Sequence, residues 1–316
     1  MTPIRKIQTV AAAAVVVLAA APLAAQNFEN VQIKTIPVAD GVYMLTGQGG
    51  NIGLSIGKDG AFLIDDQYGP LTEKIVNAVT ALTDEPIRFL VNTHWHGDHT
   101  GGNENMGTSG VIIVAHENVR ERMSTTQFIE AFQMTAAASP EEALPVITFT
   151  DALTFHYNDD VLHVFHVEHA HTDGDAIIHF REANVFHMGD TFFNGMYPFI
   201  DVSSGGTIDG MIEAADTVLK LTNRKTKIIP GHGPLGTVKD LRKFRDMLAL
   251  VRDRIRRMML AGKYREQVIG AKPTRDLDDE WGRGFMKPDK WVGIVFDGMI
   301  KTVAHPWRER VPVPGG

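Results

Sequence analysis

Residues 92–100, with the sequence NTHWHGDHT, bring together side chains that bind metal ions. They include three histidines and one aspartate, at positions His94, His96, Asp98 and His99. Imidazole nitrogens and carboxylate oxygens are good zinc ligands. His94 and His96 are two positions apart, so in an extended turn both rings can reach one ion. The segment therefore predicts part of a metal site, and the remaining ligands must come from elsewhere in the chain.

Three further candidates follow apolar runs that read as strands. VLHVFHVEHA leads to His171, VFHMG leads to Asp190, and KIIPG leads to His232. IRFLVN precedes His94 in the same way, so four strand ends each deliver a metal-capable residue to a glycine-rich turn. Catalytic groups on loops that rigid strands hold in place are a common arrangement in enzymes.

The candidates divide into two ligand sets and one bridging group. The first set is His94, His96 and His171, and the second set is Asp98, His99 and His232. Asp190 carries an anionic group with two oxygens and is suited to bridge the two ions. Metal ions about 3.5–4 Å apart can share a hydroxide whose pKa is lowered to about 7. The pattern therefore predicts two Zn²⁺ ions per chain and hydrolytic chemistry.

The same motifs resemble those of a known family. THWHGDH is similar to the HxHxDH signature of the metallo-β-lactamase superfamily, and HAHTDGD, HMGD and PGHG resemble its next motifs in the same order. The resemblance implies an α/β (α+β) fold, a four-layer αββα sandwich, with a dinuclear zinc site at one edge of its two sheets. It implies the ligand sets given above and a role for Asp98 in orienting the nucleophile. Asp65, in LIDD, would support the ligands through hydrogen bonds.

Three positions depart from the subclass B1 metallo-β-lactamases, which the motif spacing otherwise resembles. Those enzymes have a cysteine where this chain has Asp190, no ligand histidine at the position of His99, and a carboxylate-binding lysine where this chain has Phe193. The ligand set instead looks like that of glyoxalase II, lactonases and phosphodiesterases. We therefore expect a metal-bridging hydroxide to attack the carbonyl of an ester, thioester, lactone or β-lactam, with β-lactam hydrolysis weak or incidental. Phosphate esters are disfavoured because no basic clamp lies beside the motifs.

Two other readings of the ligand set stay open. Histidine-rich sites also suit iron, as in a mononuclear iron enzyme of the persulfide-dioxygenase type on the same fold. His96 argues against the flavo-diiron branch, which has glutamate at that position. The second alternative is a non-catalytic metal-binding protein, which the complete ligand set and Asp98 disfavour.

Several aromatic residues could line a substrate pocket near the metals. They are Trp95, Phe192, Phe193 and Tyr197, and packing in the core is the competing interpretation. Residues 46–51, TGQGGN, are predicted to form a hairpin tip near the metal edge. Residues 117–145 are predicted to be a helical insertion over the site.

The N-terminal segment and the composition restrict the cellular setting. Residues 1–25 combine Arg5 and Lys6 with an apolar run and a small-residue exit near Ala25, which predicts a secretory signal peptide and a periplasmic or secreted protein. The chain has no cysteine, so neither a lipid anchor on cysteine nor a disulfide is possible. A formal net charge of −7 argues against nucleic acid or an anionic membrane as a partner. We expect a small-molecule substrate and no membrane attachment after cleavage; the sequence does not specify the oligomeric state.

Alternating strand and helix patterns predict one α/β hydrolase domain over residues 26–316. Strands are predicted at VYML, NIGLSIG, AFLID, IRFLVN and VIIVA, and near 161–167, 176–180, 185–188 and 227–229. Helices are predicted around Ile75, at 207–221 and at 237–260. Thr237 and Asp240 form a candidate capping box at the start of a C-terminal helical extension from about residue 237.

Overall fold

The computed structural model of the protein describes residues 28–302, so the predicted signal peptide lies outside the described residues. In chain order the strands are β1 (Lys34–Ala39), β2 (Val42–Thr46), β3 (Ile52–Gly57), β4 (Gly60–Ile64), β5 (Ile87–Val91), β6 (Ile112–His116), β7 (Gln127–Ile129), β8 (Met134–Ala136), β9 (Ile147–Phe149), β10 (Ala152–Tyr157), β11 (Asp160–His166), β12 (Ala176–Phe180), β13 (Val185–His187), β14 (Lys227–Ile229) and β15 (Gly236–Thr237). The α-helices are α1 (Thr72–Thr80), α2 (Gly97–Thr100), α3 (Asn103–Thr108), α4 (Glu117–Met123), α5 (Ile208–Leu221), α6 (Val238–Leu260), α7 (Arg265–Gly270), α8 (Asp278–Trp281) and α9 (Pro288–Thr302).

The first large sheet has the strand order β1-β2-β3-β4-β5-β6-β9. Its first four strands pair antiparallel, whereas β4, β5, β6 and β9 are parallel. Neighbouring parallel strands end at the same edge of a sheet. The residue after β4 is Asp65, and the turn after β5 carries the segment from His94 to His99. These two loops are therefore brought side by side.

The second large sheet has the strand order β10-β11-β12-β13-β14-β15. Only β13 and β14 pair in parallel within it. Asp190 follows the end of β13, and His232 follows the end of β14. The parallel pair thus places the bridging candidate beside the last ligand candidate.

Three clusters of buried apolar side chains lie between the four layers of the fold. Phe62 and Val91 of the first sheet pack with Leu162 and Ile178 of the second. A second cluster joins the first sheet to α1 and α3 through residues such as Leu90, Ile75 and Met106. The third joins the second sheet to α5 and α6 through residues such as Ile177, Met211 and Phe244. Burying each such large side chain contributes about 1.5–3 kcal/mol. The arrangement is helices, sheet, sheet, helices, as the family resemblance implied.

The helix that begins the C-terminal extension starts where its capping signal predicts. The Thr237 side chain accepts a hydrogen bond from the Asp240 backbone, and the Asp240 carboxylate accepts one from the Thr237 backbone. Leu241, Phe244 and Leu248 of α6 are buried. The remaining helices of the extension, α7 to α9, had no clear signal in the sequence.

The predicted helical insertion at 117–145 is wrong for most of its length. Only α4 is α-helical in this segment, and β7 and β8 then form a two-stranded hairpin. The hydroxyls of Ser124 and Thr125 bond to the carbonyl of Glu121 and so compete with helical hydrogen bonds. Phe128 and Ile129 then favour a strand, because aromatic and β-branched side chains suit the extended backbone.

No helix within residues 28–302 has both the length and the apolar character needed to cross a bilayer.

Candidate metal centre

Three buried histidines converge in the first ligand cluster. His94 and His96 come from the turn after β5, and His171 comes from the loop between β11 and β12. One possible ligand atom from each ring lies within 4.8 Å of the others. His96 Nδ1 and His171 Nε2 are 2.8 Å apart. The structure therefore brings together the first set of predicted ligands.

Protein acceptors fix the tautomers of two of these rings. His96 Nε2 donates to the Asp201 carboxylate at 3.0 Å, and His171 Nδ1 donates to the Phe199 carbonyl at 2.8 Å. In the neutral rings the protons are thus on the outer nitrogens, and the inner nitrogens face each other with lone pairs. Two lone pairs at this separation repel each other, whereas a cation between them binds both. The donor set therefore fits a metal ion.

The tautomer of His94 is also fixed by a hydrogen bond, in this case to the hydroxyl of Thr93. Thr93 Oγ1 donates to Asp65 Oδ2 at 2.8 Å, so it is free to accept from His94 Nδ1 at 3.0 Å. His94 Nε2 then keeps a lone pair, and this buried atom has no hydrogen-bond partner. Burial lowers the pKa of His94, and it lowers the pKa of His171 to about 4. Both rings are therefore neutral at pH 7 and able to ligate a cation.

The second cluster contains Asp98, His99 and His232. Asp98 Oδ2 lies 3.3 Å from His232 Nε2 and 3.6 Å from His99 Nε2. Burial alone would lower the pKa of His232, but the carboxylates of Asp190 and Asp98 outweigh it and raise the pKa to about 9. The imidazole rings of the second cluster thus lie beside the carboxylates of Asp98 and Asp190. Once these rings lose their extra protons, their nitrogens and the carboxylate oxygens can bind a cation.

Asp190 lies between the two clusters. Its Oδ2 is 3.5 Å from His171 Nε2 and 3.9 Å from His94 Nε2. Its Oδ1 is 3.1 Å from His99 Nε2 and 3.4 Å from His232 Nε2. One oxygen faces each cluster, which is the position that a bridging carboxylate requires.

Asp65 connects the ligands of both clusters. Its Oδ1 accepts from the Thr93 backbone at 2.7 Å, and its Oδ2 accepts from His99 Nδ1 at 2.7 Å as well as from the Thr93 hydroxyl. It therefore holds His99 directly and His94 through Thr93. The resemblance implied hydrogen bonds of this kind for Asp65, and its support of a bound metal stays a prediction.

The hairpin tip at 46–51 joins β2 to β3 and lies against the ligand loops. Gly50 donates its backbone N–H to the Asp98 carbonyl at 3.0 Å. The Asn51 side chain donates to the carbonyls of Pro230 and Gly233, both at 2.9 Å. The tip thus links the turn that carries Asp98 and His99 to the turn that carries His232.

The metal centre is most exposed to solvent at its second cluster. The side chains of Asp98 and His232 are 25% and 19% exposed. Each of the other five ligand candidates has a side chain that is 8% exposed or less. The centre is therefore accessible to solvent from the side of Asp98 and His232.

The predicted pocket-lining aromatics do not form an open wall. Phe192 and Tyr197 are fully buried; Phe192 packs on Phe244, and Tyr197 packs on Trp291. The prediction that these two rings line a pocket is therefore wrong, because they belong to the core. Phe193 is also fully buried, and its ring stacks on His232 at 5.1 Å between centroids. All three belong to the apolar cluster that fills the space between the second sheet and the helices packed on it.

Trp95 lies beside the centre and faces another cavity. Its ring is 4.6 Å from that of His96 and is almost completely buried. It lines a cavity of about 190 Å³ with Met123 and Ala143, and none of the seven ligand candidates borders that cavity. Trp95 is therefore a wall residue of a neighbouring space rather than of the metal opening.

Asp201 is a site residue that the sequence did not reveal. It holds His96 Nε2 while also accepting from the hydroxyls of Ser203 and Ser204. Burial would raise its pKa, but the bond from His96 and the serine hydroxyls keep the pKa well below its usual range. The DVSS segment suggests a capped turn, and no sequence signal connects it to a histidine 105 positions earlier.

Replacing Asp201 with asparagine should weaken zinc binding by about 10- to 100-fold, because hydrogen-bond partners of metal-bound histidines set ring orientation and basicity. Competition with a chromogenic chelator measures this affinity. Ser203→Ala is the matched control, since it removes one hydroxyl from Asp201 and leaves the bond to His96 in place. Equal zinc affinities for Asp201→Asn and the unmodified protein would contradict this role.

Comparisons with known proteins agree with this geometry. The family model for the metallo-beta-lactamase superfamily matches residues 45–233. A metallo-beta-lactamase type 2 from Bacteroides fragilis is 25% identical over 167 residues, which cover 52% of this chain and 61% of that protein. The chain thus spans about three-fifths of the length of this curated relative.

Two solved structures have similar folds. A metallo-beta-lactamase from Pontibacter korlensis superposes with a TM-score of 0.55 at 19% identity, covering 69% of this chain and 99% of that one. The stereoselective inverting sec-alkylsulfatase Pisa1 from Pseudomonas sp. gives a TM-score of 0.66 at 16% identity, covering 89% of this chain and 52% of that one. At these identities the two structures show the fold alone. The family match extends over more than half of the chain and includes every ligand candidate, so the chain belongs to the metallo-beta-lactamase superfamily.

Proposed function

We propose that this protein is a dinuclear zinc hydrolase that cleaves a carbonyl substrate, namely an ester, thioester, lactone or β-lactam. We also propose that the N-terminal segment directs it to the periplasm or outside the cell. The observation that carries the proposal is Asp190, which presents one oxygen to each ligand cluster. A storage or structural site needs no such bridge, whereas hydrolytic centres use paired ions.

Zinc bound at the two clusters would supply a hydroxide nucleophile at neutral pH and polarise the substrate carbonyl. The chain supplies the groups that orient the reactants and move protons. Burial would raise the pKa of Asp98, but His99 and His232 lower it to about 2, so its carboxylate is ionised at neutral pH. Asp98 Oδ2 can accept the proton of the attacking water and return it to the departing oxygen, nitrogen or sulfur.

The site supports esters, thioesters and lactones better than β-lactams. Phe193 occupies the position of the carboxylate-binding lysine of B1 enzymes, and it is fully buried against His232. Among the described residues, no lysine or arginine forms an ion pair with Asp98 or Asp190. A substrate carboxylate at the position of that lysine would thus meet an apolar ring instead of a cation. We therefore propose that β-lactam hydrolysis is weak or incidental.

Metal analysis and a substrate panel test the proposed function together. The purified protein should contain about two zinc ions per chain and should hydrolyse at least one of an ester, a thioester and a lactone faster than a β-lactam. A secondary alkyl sulfate belongs in the panel because of the similarity to Pisa1. One iron per chain with oxygen-dependent turnover would overturn the proposal in favour of an iron enzyme. Two bound zinc ions without any hydrolysis would favour a metal-binding protein.

A further inference from the structure

Phe285 lies beside the open side of the metal centre. It belongs to the connection between α8 and α9 in the C-terminal extension. Its ring centroid is 6.2 Å from that of His232 and 6.3 Å from that of Phe193. Phe285 is nevertheless 54% exposed. It therefore presents an apolar surface to solvent next to the most accessible histidine of the centre.

The loop that carries Phe285 is held firmly on both sides. Trp281 before it and Met286 after it are buried. The Tyr197 backbone N–H donates to the Trp281 carbonyl at 2.8 Å. Gly284 packs so closely that an added Cβ would lie 2.8 Å from Met196 Cβ. Since the neighbouring residues are anchored, the exposed ring has a defined position relative to His232.

A single exposed phenylalanine is common on protein surfaces, so the argument depends on where this one lies. Among the ligand histidines, His232 is the one whose ring packs with Phe285, and it belongs to the second cluster. In the proposed mechanism Asp98 of this cluster returns a proton to the departing group, which places that group beside the cluster. The nearest ring behind it, Phe193, is also apolar. Phe193 is fully buried, so Phe285 is the ring of this pair that offers an exposed apolar surface beside the departing group.

We infer that Phe285 determines substrate specificity by packing against an apolar alcohol or thiol portion of the substrate. The inference rests on the proposed function and names its substrate class, which is esters or thioesters with an aryl, benzyl or longer alkyl leaving group. In the reaction, water oxygen bonds to the carbonyl carbon and the bond from that carbon to oxygen or sulfur breaks. The proton from water goes to the leaving alcohol or thiol, so atoms and charge balance.

Two acetate esters separate apolar contact from leaving-group reactivity. Benzyl alcohol and methanol are of similar acidity, so benzyl acetate and methyl acetate differ mainly in apolar size. Phe285→Ala should lower kcat/KM for benzyl acetate by about five- to tenfold, the magnitude expected for losing one aromatic contact. It should leave kcat/KM for methyl acetate within about twofold, because that ester has no group to reach the ring.

Phe128→Ala is the matched control. Phe128 is 50% exposed on the β7–β8 hairpin, and within the described part of the chain its ring packs against no ligand histidine. The control should leave both esters unaffected. Equal losses for the two esters in Phe285→Ala, or an equal benzyl loss in Phe128→Ala, would overturn the inference. Zinc content is measured for each variant, so that a lost ion is not mistaken for a lost contact.

Binding to zinc-free protein distinguishes this inference from the proposed function. Saturation-transfer NMR with benzyl alcohol should give a signal for the unmodified protein and for Phe128→Ala, and a clearly weaker one for Phe285→Ala. Loss of ester hydrolysis with this binding pattern intact would overturn the proposed function and leave Phe285 as an apolar contact site. Hydrolysis of esters with no difference in benzyl alcohol binding between variants would overturn the assignment of Phe285.

Discussion

Asp190→Asn is expected to abolish most activity, with kcat/KM lower by on the order of 10³-fold and zinc content falling from about two ions per chain to about one or fewer. Asparagine keeps the size of the side chain but removes its charge and one of its two anionic oxygens. Asp190 is the one ligand candidate with an oxygen within 4 Å of a histidine in each cluster. Both ions therefore lose a ligand in a single substitution.

Two comparisons make this result specific. Asp159→Asn removes an equal charge from an exposed side chain that pairs with Lys58, and it should leave activity and zinc content unchanged. The unmodified protein treated with a chelator should behave like Asp190→Asn in both assays. An Asp190→Asn protein that keeps two zinc ions and most of its activity would show that Asp190 does not bridge.

Thermal stability provides a second measurement of the same substitution. An ion that binds only the folded chain stabilises it by about 4 kcal/mol when its free concentration is 1,000 times its Kd. Chelation should therefore lower the Tm of the unmodified protein measurably. The Tm of Asp190→Asn should respond much less to chelator, because less zinc is bound beforehand.

The strands and the ligand candidates could be predicted because both are encoded locally, whereas the αββα arrangement was implied by the family resemblance. Each ligand motif follows an apolar strand, and the parallel pairs β4–β5 and β13–β14 place those strand ends side by side. The capping box at Thr237 likewise depends on residues three positions apart. Signals of this range can be read in a single sequence without knowledge of long-range contacts.

Other features depend on contacts between distant segments and could not be predicted. The bond from His96 to Asp201 has no local pattern, and Phe285 comes near His232 only because the C-terminal extension packs beside the centre. The aromatic run after Asp190 was predicted to line a pocket because composition alone does not distinguish a buried ring from a wall. The insertion at 117–145 was predicted to be helical, although local hydroxyls end α4 at Met123.

For the hairpin tip at residues 46–51, the turn could be predicted from the sequence, but the close approach of Gly50 to His99 could not. A Cβ added at Gly50 would lie 2.1 Å from His99 Cε1 and 2.5 Å from His99 Nε2. The His99 ring cannot easily yield, because it is completely buried and its Nδ1 is bound to Asp65 at 2.7 Å. Glycine is thus needed here for close approach to a ligand rather than for a left-handed backbone.

Gly50→Ala is therefore expected to displace His99 or lift the tip, and to affect the second cluster alone. Zinc content should fall to about one ion per chain, and kcat/KM should drop by on the order of 10²-fold, as for loss of a ligand or its support. Gly97→Ala is the matched control, because an added Cβ at Gly97 meets no atom within 4 Å. Metal analysis and steady-state kinetics on both variants measure the difference. Two retained zinc ions in Gly50→Ala would mean that the tip moves aside at little cost, and its contact with Asp98 would then not be required to hold the second cluster together.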